Sequence, residues 1–298
     1  VKFQLSQDNL NLSVNNTNSG DGNETLSINF DHDLEISFNS RYLIDVASQL
    51  DGEKIEWVME FKIDGVAASV RYEQGRMVLA LTRGNGEVGD DITHNIRTVR
   101  DLPLQMVGNE KPDVLEVRGE VYMTNADLAD LNLRQLDAGA EPFKNTRNVT
   151  AGTIRLLDPS VAAERSLRFF CHGVGDIEGL KANNHMDFLG EVGALGIPPT
   201  PSVKLLPNAD AVMKEVELLE EGMPDLPFEV DGIVFKVNDF EQRERLGMRS
   251  KSPRWLIAYK FEKYEAVTTL NTITVQVGKT GTITPVANLV PVEIADTT

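Results

Sequence analysis

Apolar and polar positions alternate over the first 40 residues, as in Phe3-Gln4-Leu5 and Leu26-Ser27-Ile28-Asn29-Phe30, with Asn, Gly and Ser between the runs. A period of two puts successive side chains on opposite faces of an extended chain, so the pattern predicts short antiparallel strands. The spacing then lengthens. Tyr42, Leu43, Val46 and Leu50 share one helical face over 41–50, and Asp51-Gly52 stops the run. From Trp57 the texture changes again. Val66–Tyr72 and Met77–Thr82 flank Glu73-Gln74-Gly75, a hairpin signature, and Val114–Tyr122 reads as a further strand. Helical spacing recurs over Asn125–Leu136, Thr146–Leu157, Asn183–Leu195 and Asn208–Glu221, while Glu229–Val237 and Leu256–Phe261 are largely apolar and read as buried-strand candidates. After Tyr264 the chain is rich in Thr and Val with turns at Gly278 and Gly281, which predicts the opening strands of a small β-barrel. Strands and helices mix without a regular β-α-β alternation, so the class is α+β.

Composition narrows the picture. A chain of 298 residues that is 41% hydrophobic can build two cores. Its net charge of −17 argues against coating nucleic acid or an anionic membrane through bulk charge. That charge is uneven: residues 1–60 hold 11 acids and 3 bases, whereas 241–263 hold 7 bases and 3 acids. The acidic average therefore leaves room for a local basic groove at 241–263. No apolar stretch is long enough to cross a membrane and no signal sequence opens the chain, so the expected setting is cytoplasmic. One cysteine, Cys171, excludes an internal disulfide and a four-cysteine zinc site. The start at Val1 without Met and the stop at Thr298 mid-pattern read as a fragment.

Candidate chemistry begins at Glu60-Phe61-Lys62-Ile63-Asp64-Gly65, where a lysine, an acid and a glycine suit a nucleophile on a pocket floor. Alone, Lys-x-Asp-Gly is equally a surface turn. Further blocks follow: Thr82-Arg83-Gly84-Asn85-Gly86; Val117-Arg118-Gly119-Glu120; Phe143-Lys144-Asn145-Thr146-Arg147-Asn148 running to Arg155; Asp231-Gly232-Ile233-Val234-Phe235-Lys236; and Trp255-Leu256-Ile257-Ala258-Tyr259-Lys260. Lysines inside apolar strands need an anion, because a buried ammonium costs several kcal/mol without one.

In this order, these blocks resemble the nucleotidyltransferase motifs of the NAD+-dependent bacterial DNA ligases, over residues 57–298. The resemblance implies an ATP-grasp-like adenylation domain at 53–263 and a truncated oligonucleotide-binding barrel at 264–298. It implies that Lys62 attacks the α-phosphorus of NAD+, expels nicotinamide mononucleotide and holds AMP, and that the enzyme then joins nicks in duplex DNA. An ordinary lysine has a pKa of about 10.4, so neighbouring cations must favour its neutral form, with Lys236 and Lys260 as candidates. Lys260 and Arg83 would neutralise phosphate, Glu60 and Lys236 would meet the adenine edge, and Glu120 the ribose. His172, also readable as a core histidine, would lie against the adenine ring. Asp64 would assist nucleotide and Mg2+ placement, and Arg147 and Arg155 would bind phosphates of AMP and the nick. No metal ligand is certain, and no zinc is expected.

The pattern departs from the family in places. Asn85 stands for an Asp, Thr146 for a Pro, and Met223 for an Arg of the phosphate cluster. The family's N-terminal nicotinamide-binding domain has no counterpart upstream of Trp57. Residues 1–52 instead resemble part of the third domain of the DNA polymerase III sliding clamp, carried by Phe38-Asn39-Ser40-Arg41-Tyr42-Leu43-Ile44-Asp45. The chain then reads as a junction of two replication-protein pieces, with clamp-type partners open. Two functions compete: an adenylyl-transferring DNA ligase, and a fused fragment that holds AMP without turnover.

Overall fold

The computed structural model describes the backbone of residues 2–6, 9–16, 20–27 and 34–37, and residues 54–84, 88–221, 225–248, 253–260, 267–278 and 281–292. The helix expected at 41–50, Asn85 and Met223 lie outside the described residues.

The alternating N-terminal pattern forms four strands, β1 (Lys2–Ser6), β2 (Asn9–Asn16), β3 (Gly20–Ser27) and β4 (Leu34–Ser37), in one antiparallel sheet of order β3-β2-β1-β4. Next in sequence come β5 (Trp57–Ile63), then the hairpin β6 (Val66–Glu73) and β7 (Arg76–Thr82), whose turn sets Gln74 and Gly75 at φ 50° and 76°. Two adjacent left-handed residues match the twist of a tight hairpin, as the Gln-Gly pair predicts. The short helix α1 (Thr93–Ile96) leads to β8 (Val114–Tyr122), α2 (Asn125–Asp137), α3 (Thr146–Thr153), α4 (Pro159–Ala163) and β9 (Arg168–Glu178). The second half runs α5 (His185–Ala194), β10 (Lys204–Leu206), α6 (Ala209–Glu221), β11 (Val230–Val237), α7 (Phe240–Leu246), β12 (Leu256–Lys260) and the hairpin β13 (Leu270–Val277) with β14 (Ile283–Leu289).

Helix α3 ends four residues before the expected Leu157. Thr150 and Thr153 turn their hydroxyls back onto the carbonyls of Thr146 and Val149, and Asn95 Nδ2 donates to the carbonyls of Ile154 and Leu156 at 2.9 and 2.8 Å. An outside donor for the last free carbonyls fixes the stop.

Two four-stranded sheets frame the middle of the chain, one of order β7-β6-β8-β9 and the other β10-β5-β11-β12. Each buries one face under helices. Val70, Tyr72, Leu115, Val117, Val121 and Phe169 pack against Ile96, Phe188 and Val192 in the first core. Met59, Phe61, Ile233, Phe235 and Val237 pack against Val216 and Leu246 in the second. The period-two rule then sends the intervening side chains of both sheets the other way, and these polar faces meet.

Candidate active site

Strand pairing places the charged residues of the second sheet on one face. Gly232 of β11 pairs with Lys62 of β5 and with Lys260 of β12, Val234 with Glu60, and Lys236 with Val58. Directly opposed residues of antiparallel strands point the same way, so Glu60, Lys62, Lys236 and Lys260 share the polar face. The core side of β5 takes Trp57, Met59, Phe61 and Ile63.

The register slips once on β11, between Val230 and Gly232, and the extra residue is Asp231. Both Asp231 carboxylate oxygens accept from Lys62 Nζ at 2.7 Å, and Lys260 Nζ lies 3.8 Å from the same group. Gly232 permits this crowding: a Cβ there would come 2.1 Å from the Tyr259 carbonyl oxygen. A carboxylate, rather than the expected Lys236, is thus the charged group against Lys62. Lys260 is also not a buried lysine, since β12 is an edge strand and its side chain is 68% exposed.

Lys236 points deeper. It is 4% exposed and donates to Glu60 Oε2 and to the His172 carbonyl, both at 2.5 Å. Burial alone would raise the Glu60 carboxyl, but Lys236 and a hydrogen bond from His185 outweigh it and hold it at about 2. His185 Nε2 lies 2.5 Å from Glu60 Oε1.

The facing sheet contributes a second bulge. Gly119 of β8 pairs with Cys171 and Arg118 with Gly173, which leaves His172 as the extra residue of β9. Its carbonyl reaches Lys236, and its Nε2 stands 3.9 Å from Glu120 Oε1. Burial first, then Lys236, lowers the His172 pKa to about 4, so the ring is neutral near pH 7. Glu120 goes the other way. Burial raises it to about 7, against the pull of Lys62, Arg147 and Arg83 and with a push from Asp231.

Arg147, in the first turn of α3, donates to Asp64 Oδ1 at 2.8 Å. The structure therefore gathers Lys62, Asp64, Glu120, Arg147, His172 and Lys260 into one cluster between the two sheets, with Glu60 and Lys236 buried beneath it. Arg83, exposed after β7, is close enough to act on Glu120. Arg155 diverges: past the end of α3, it pairs with Asp90 at 3.3 Å. Two participants escape sequence reasoning. Asp231 has a signal, an acid beside Gly inside an apolar run. His185 has a fainter one, a histidine on the Phe188, Leu189, Val192 face of its helix.

One base of the segment 241–263 is a core residue rather than a surface charge. Arg243 is buried, with its guanidinium 5.0 Å from the Phe240 ring centroid and 4.4 Å from that of Trp255, and its Nε donates to the Val237 carbonyl at 2.6 Å. It serves the α7–β11 junction. Arg249, Lys251 and Lys263 lie outside the described residues.

Among the described residues no group of three or more His, Cys, Asp or Glu could hold a metal, and no helix is long and apolar enough to cross a membrane.

Comparison with known proteins gives a consistent result. Residues 25–264 match the family model of the NAD-dependent DNA ligase adenylation domain, and residues 267–298 that of the NAD-dependent DNA ligase OB-fold domain. A DNA ligase of Rhodopirellula baltica is 65% identical over 263 residues, 85% of this chain and 37% of that protein. A DNA ligase of Ectopseudomonas mendocina is 43% identical over 244 residues, 82% of this chain and 31% of that protein. The chain thus spans about a third of the length of these curated relatives. A solved structure of mycobacterial DNA ligase D complexed with ATP and MES aligns at 12% identity with a TM-score of 0.35, over 75% of this chain and 57% of that one, a likeness too slight to build on.

Proposed function

The chain belongs to the NAD-dependent DNA ligases, and from that premise we propose that its cleft carries out adenylyl transfer, the step that charges the enzyme for nick joining. The observation that carries this reading is the two-oxygen contact of Asp231 with Lys62, on a face shared with Lys260 and opposite Glu120. Asp231 is the carboxylate placed to accept the proton that Lys62 Nζ must lose. The freed lone pair attacks the α-phosphorus of NAD+, a P–N bond forms, and the P–O bond to nicotinamide mononucleotide breaks with its electron pair on the leaving group.

Lys260 and Arg83 stand ready to neutralise the charge that develops on the phosphate. Glu120 meets the ribose, His172 lies against the base, and Glu60 with Lys236 reads the base edge. Arg147 can leave Asp64 for a phosphate, and the freed Asp64 then suits Mg2+, which uses one or two carboxylates plus phosphate oxygens and water. When bound, Mg2+ supplies further charge neutralisation. Family membership supports nicked duplex DNA as the substrate, Arg155 as a phosphate contact of the nick, and the cytoplasm as the place of work.

Intact mass after incubation with NAD+ and Mg2+ tests this reading. The expected result is a gain of one AMP, reversed by excess nicotinamide mononucleotide and absent in Lys62→Ala. AMP binding with no adduct under any condition would instead give the cleft to a nucleotide-holding module without turnover.

A further inference from the structure

His185 is outside the set of residues that the sequence assigns to the site, yet it makes a close contact with one of them. It is 1% exposed, and its Nε2 lies 2.5 Å from Glu60 Oε1. Its helix packs on the first sheet through Phe188, Leu189 and Val192, whereas Glu60 belongs to the second. The N-terminus of α5 is stitched to the end of β11. The His185 backbone N–H donates to the Asn238 carbonyl at 2.9 Å, the Met186 N–H to Asn238 Oδ1 at 3.2 Å, and the Phe240 N–H to the Asn183 carbonyl at 3.0 Å. Asn184 caps the helix through the Asp187 N–H at 2.9 Å. The imidazole is therefore placed by backbone on both sides.

The charged and titratable groups acting on the ring are Glu60 of β5, Lys236 of β11, Arg243 of α7 and His172 of β9. Burial first and Lys236 second lower the His185 pKa to about 4, so the ring is neutral near pH 7. Its Nδ1 is buried without a hydrogen-bond partner among the described residues. The single ring proton thus belongs on Nε2, where it has an acceptor.

We propose that His185 is a positioning residue for base selection: its Nε2–H pins Glu60 Oε1, so that Glu60 presents acceptor lone pairs only, beside the donor-only Lys236. This rests on the reading that Glu60 and Lys236 meet the base of the nucleotide. An acceptor next to a donor matches the edge of adenine, whose amine donates and whose neighbouring ring nitrogen accepts. Guanine presents the reverse, a carbonyl next to an N–H, and would leave two buried polar groups mismatched, the kind of penalty that discriminates strongly. Without His185, Oε1 loses its donor and Glu60 takes up a proton more readily. A protonated carboxyl offers an O–H as well, and the rule that excludes guanine weakens.

The test compares binding of AMP and GMP to the full chain by calorimetry, together with the carbon-13 titration of the Glu60 carboxyl, in wild type, His185→Ala, His185→Phe and His185→Gln. Phe keeps the ring volume and removes the donor, so it is the deciding variant if His185→Ala does not fold by circular dichroism. Gln restores an N–H near the Nε2 position. Ala and Phe are expected to cut the preference for AMP about tenfold, the worth of one hydrogen bond, and to raise the Glu60 midpoint, with both recovered in Gln. An unchanged preference and an unchanged Glu60 titration in Ala and Phe would overturn the inference, as would a wild type that binds AMP and GMP alike. No Lys62 adduct in wild type, together with a loss of AMP preference in His185→Phe, would sink the adenylyl-transfer reading and leave this one standing.

Discussion

Two carboxyls in the same cleft are driven in opposite directions, and the reason is local. Glu60 is deeper but meets Lys236 and His185 directly, and it falls from 4.5 to about 2. Glu120 has cations nearby but, among the described residues, none in contact with its oxygens closer than the neutral His172, so burial prevails and lifts it from 4.5 to about 7. Their effects on stability therefore have opposite signs. A carboxyl lowered by folding stabilises the native state above its unfolded pKa, so the Glu60 contribution is full above about pH 4.5 and fades as pH falls toward 2. A carboxyl raised by folding favours the protonated native state, so Glu120 costs stability as pH climbs from 4.5 through 7. Glu120→Gln is expected to flatten that second slope and to gain about 1–3 kcal/mol at pH 8, measured by urea denaturation across the window; identical slopes in both proteins would refute the shift. Glu60→Gln acts differently, because it strands the Lys236 ammonium. A loss of about 3–5 kcal/mol at pH 7 is expected, and a variant that melts with wild type would show that Lys236 finds water or another anion.

At the scale of elements, the two bulges organise the site. A bulge adds one residue to a strand without changing its apolar rhythm, and it re-aims the added side chain. Asp231 on β11 turns to Lys62, and His172 on β9 turns its carbonyl to Lys236. Gly232→Ala is expected to force β12 away from β11, at a cost of about 1–3 kcal/mol, and to slow formation of the Lys62 adduct. Thermal melting and the rate of mass gain check this, and a wild-type rate would mean that the bulge does not place Asp231. The same feature marks the limit of what the sequence discloses. Strand β8 is legible to the residue, Val114–Tyr122, because its boundaries coincide with a change of hydrophobic period. The hairpin of β6 and β7 is legible from Gln74-Gly75. A bulge leaves no such trace, so the pairing of Lys62 with Asp231 stays hidden although both residues belong to recognised blocks. Arg243 misleads for a related reason: its formula is that of a surface cation, and the rings of Phe240 and Trp255 against it, with the Val237 carbonyl, make it a core residue.

Across the whole molecule, order is unevenly supported. Every residue of β13 is exposed, Ile273, Val275 and Val277 included, and a two-stranded ribbon by itself is marginally stable. Amide exchange should accordingly be fast in β13 and β14 and slowest in β5 and β11, and equal protection in the two places would contradict this ordering. Strand β5 is the opposite case. It lies between β10 and β11, so the strand bearing Lys62 is completed by partners at 204–206 and 230–237. Contacts of such sequence separation form late, after a large loop has closed. During synthesis, Trp57-Val58-Met59-Glu60-Phe61 leaves the ribosome well over a hundred residues before either neighbour exists, as an unpaired apolar segment of the kind that associates wrongly. The nascent chain thus carries Lys62 through the synthesis of residues 63–230 without the Asp231 carboxylate that contacts it in the folded protein, and an unpaired apolar strand of this kind gives a chaperone reason to bind.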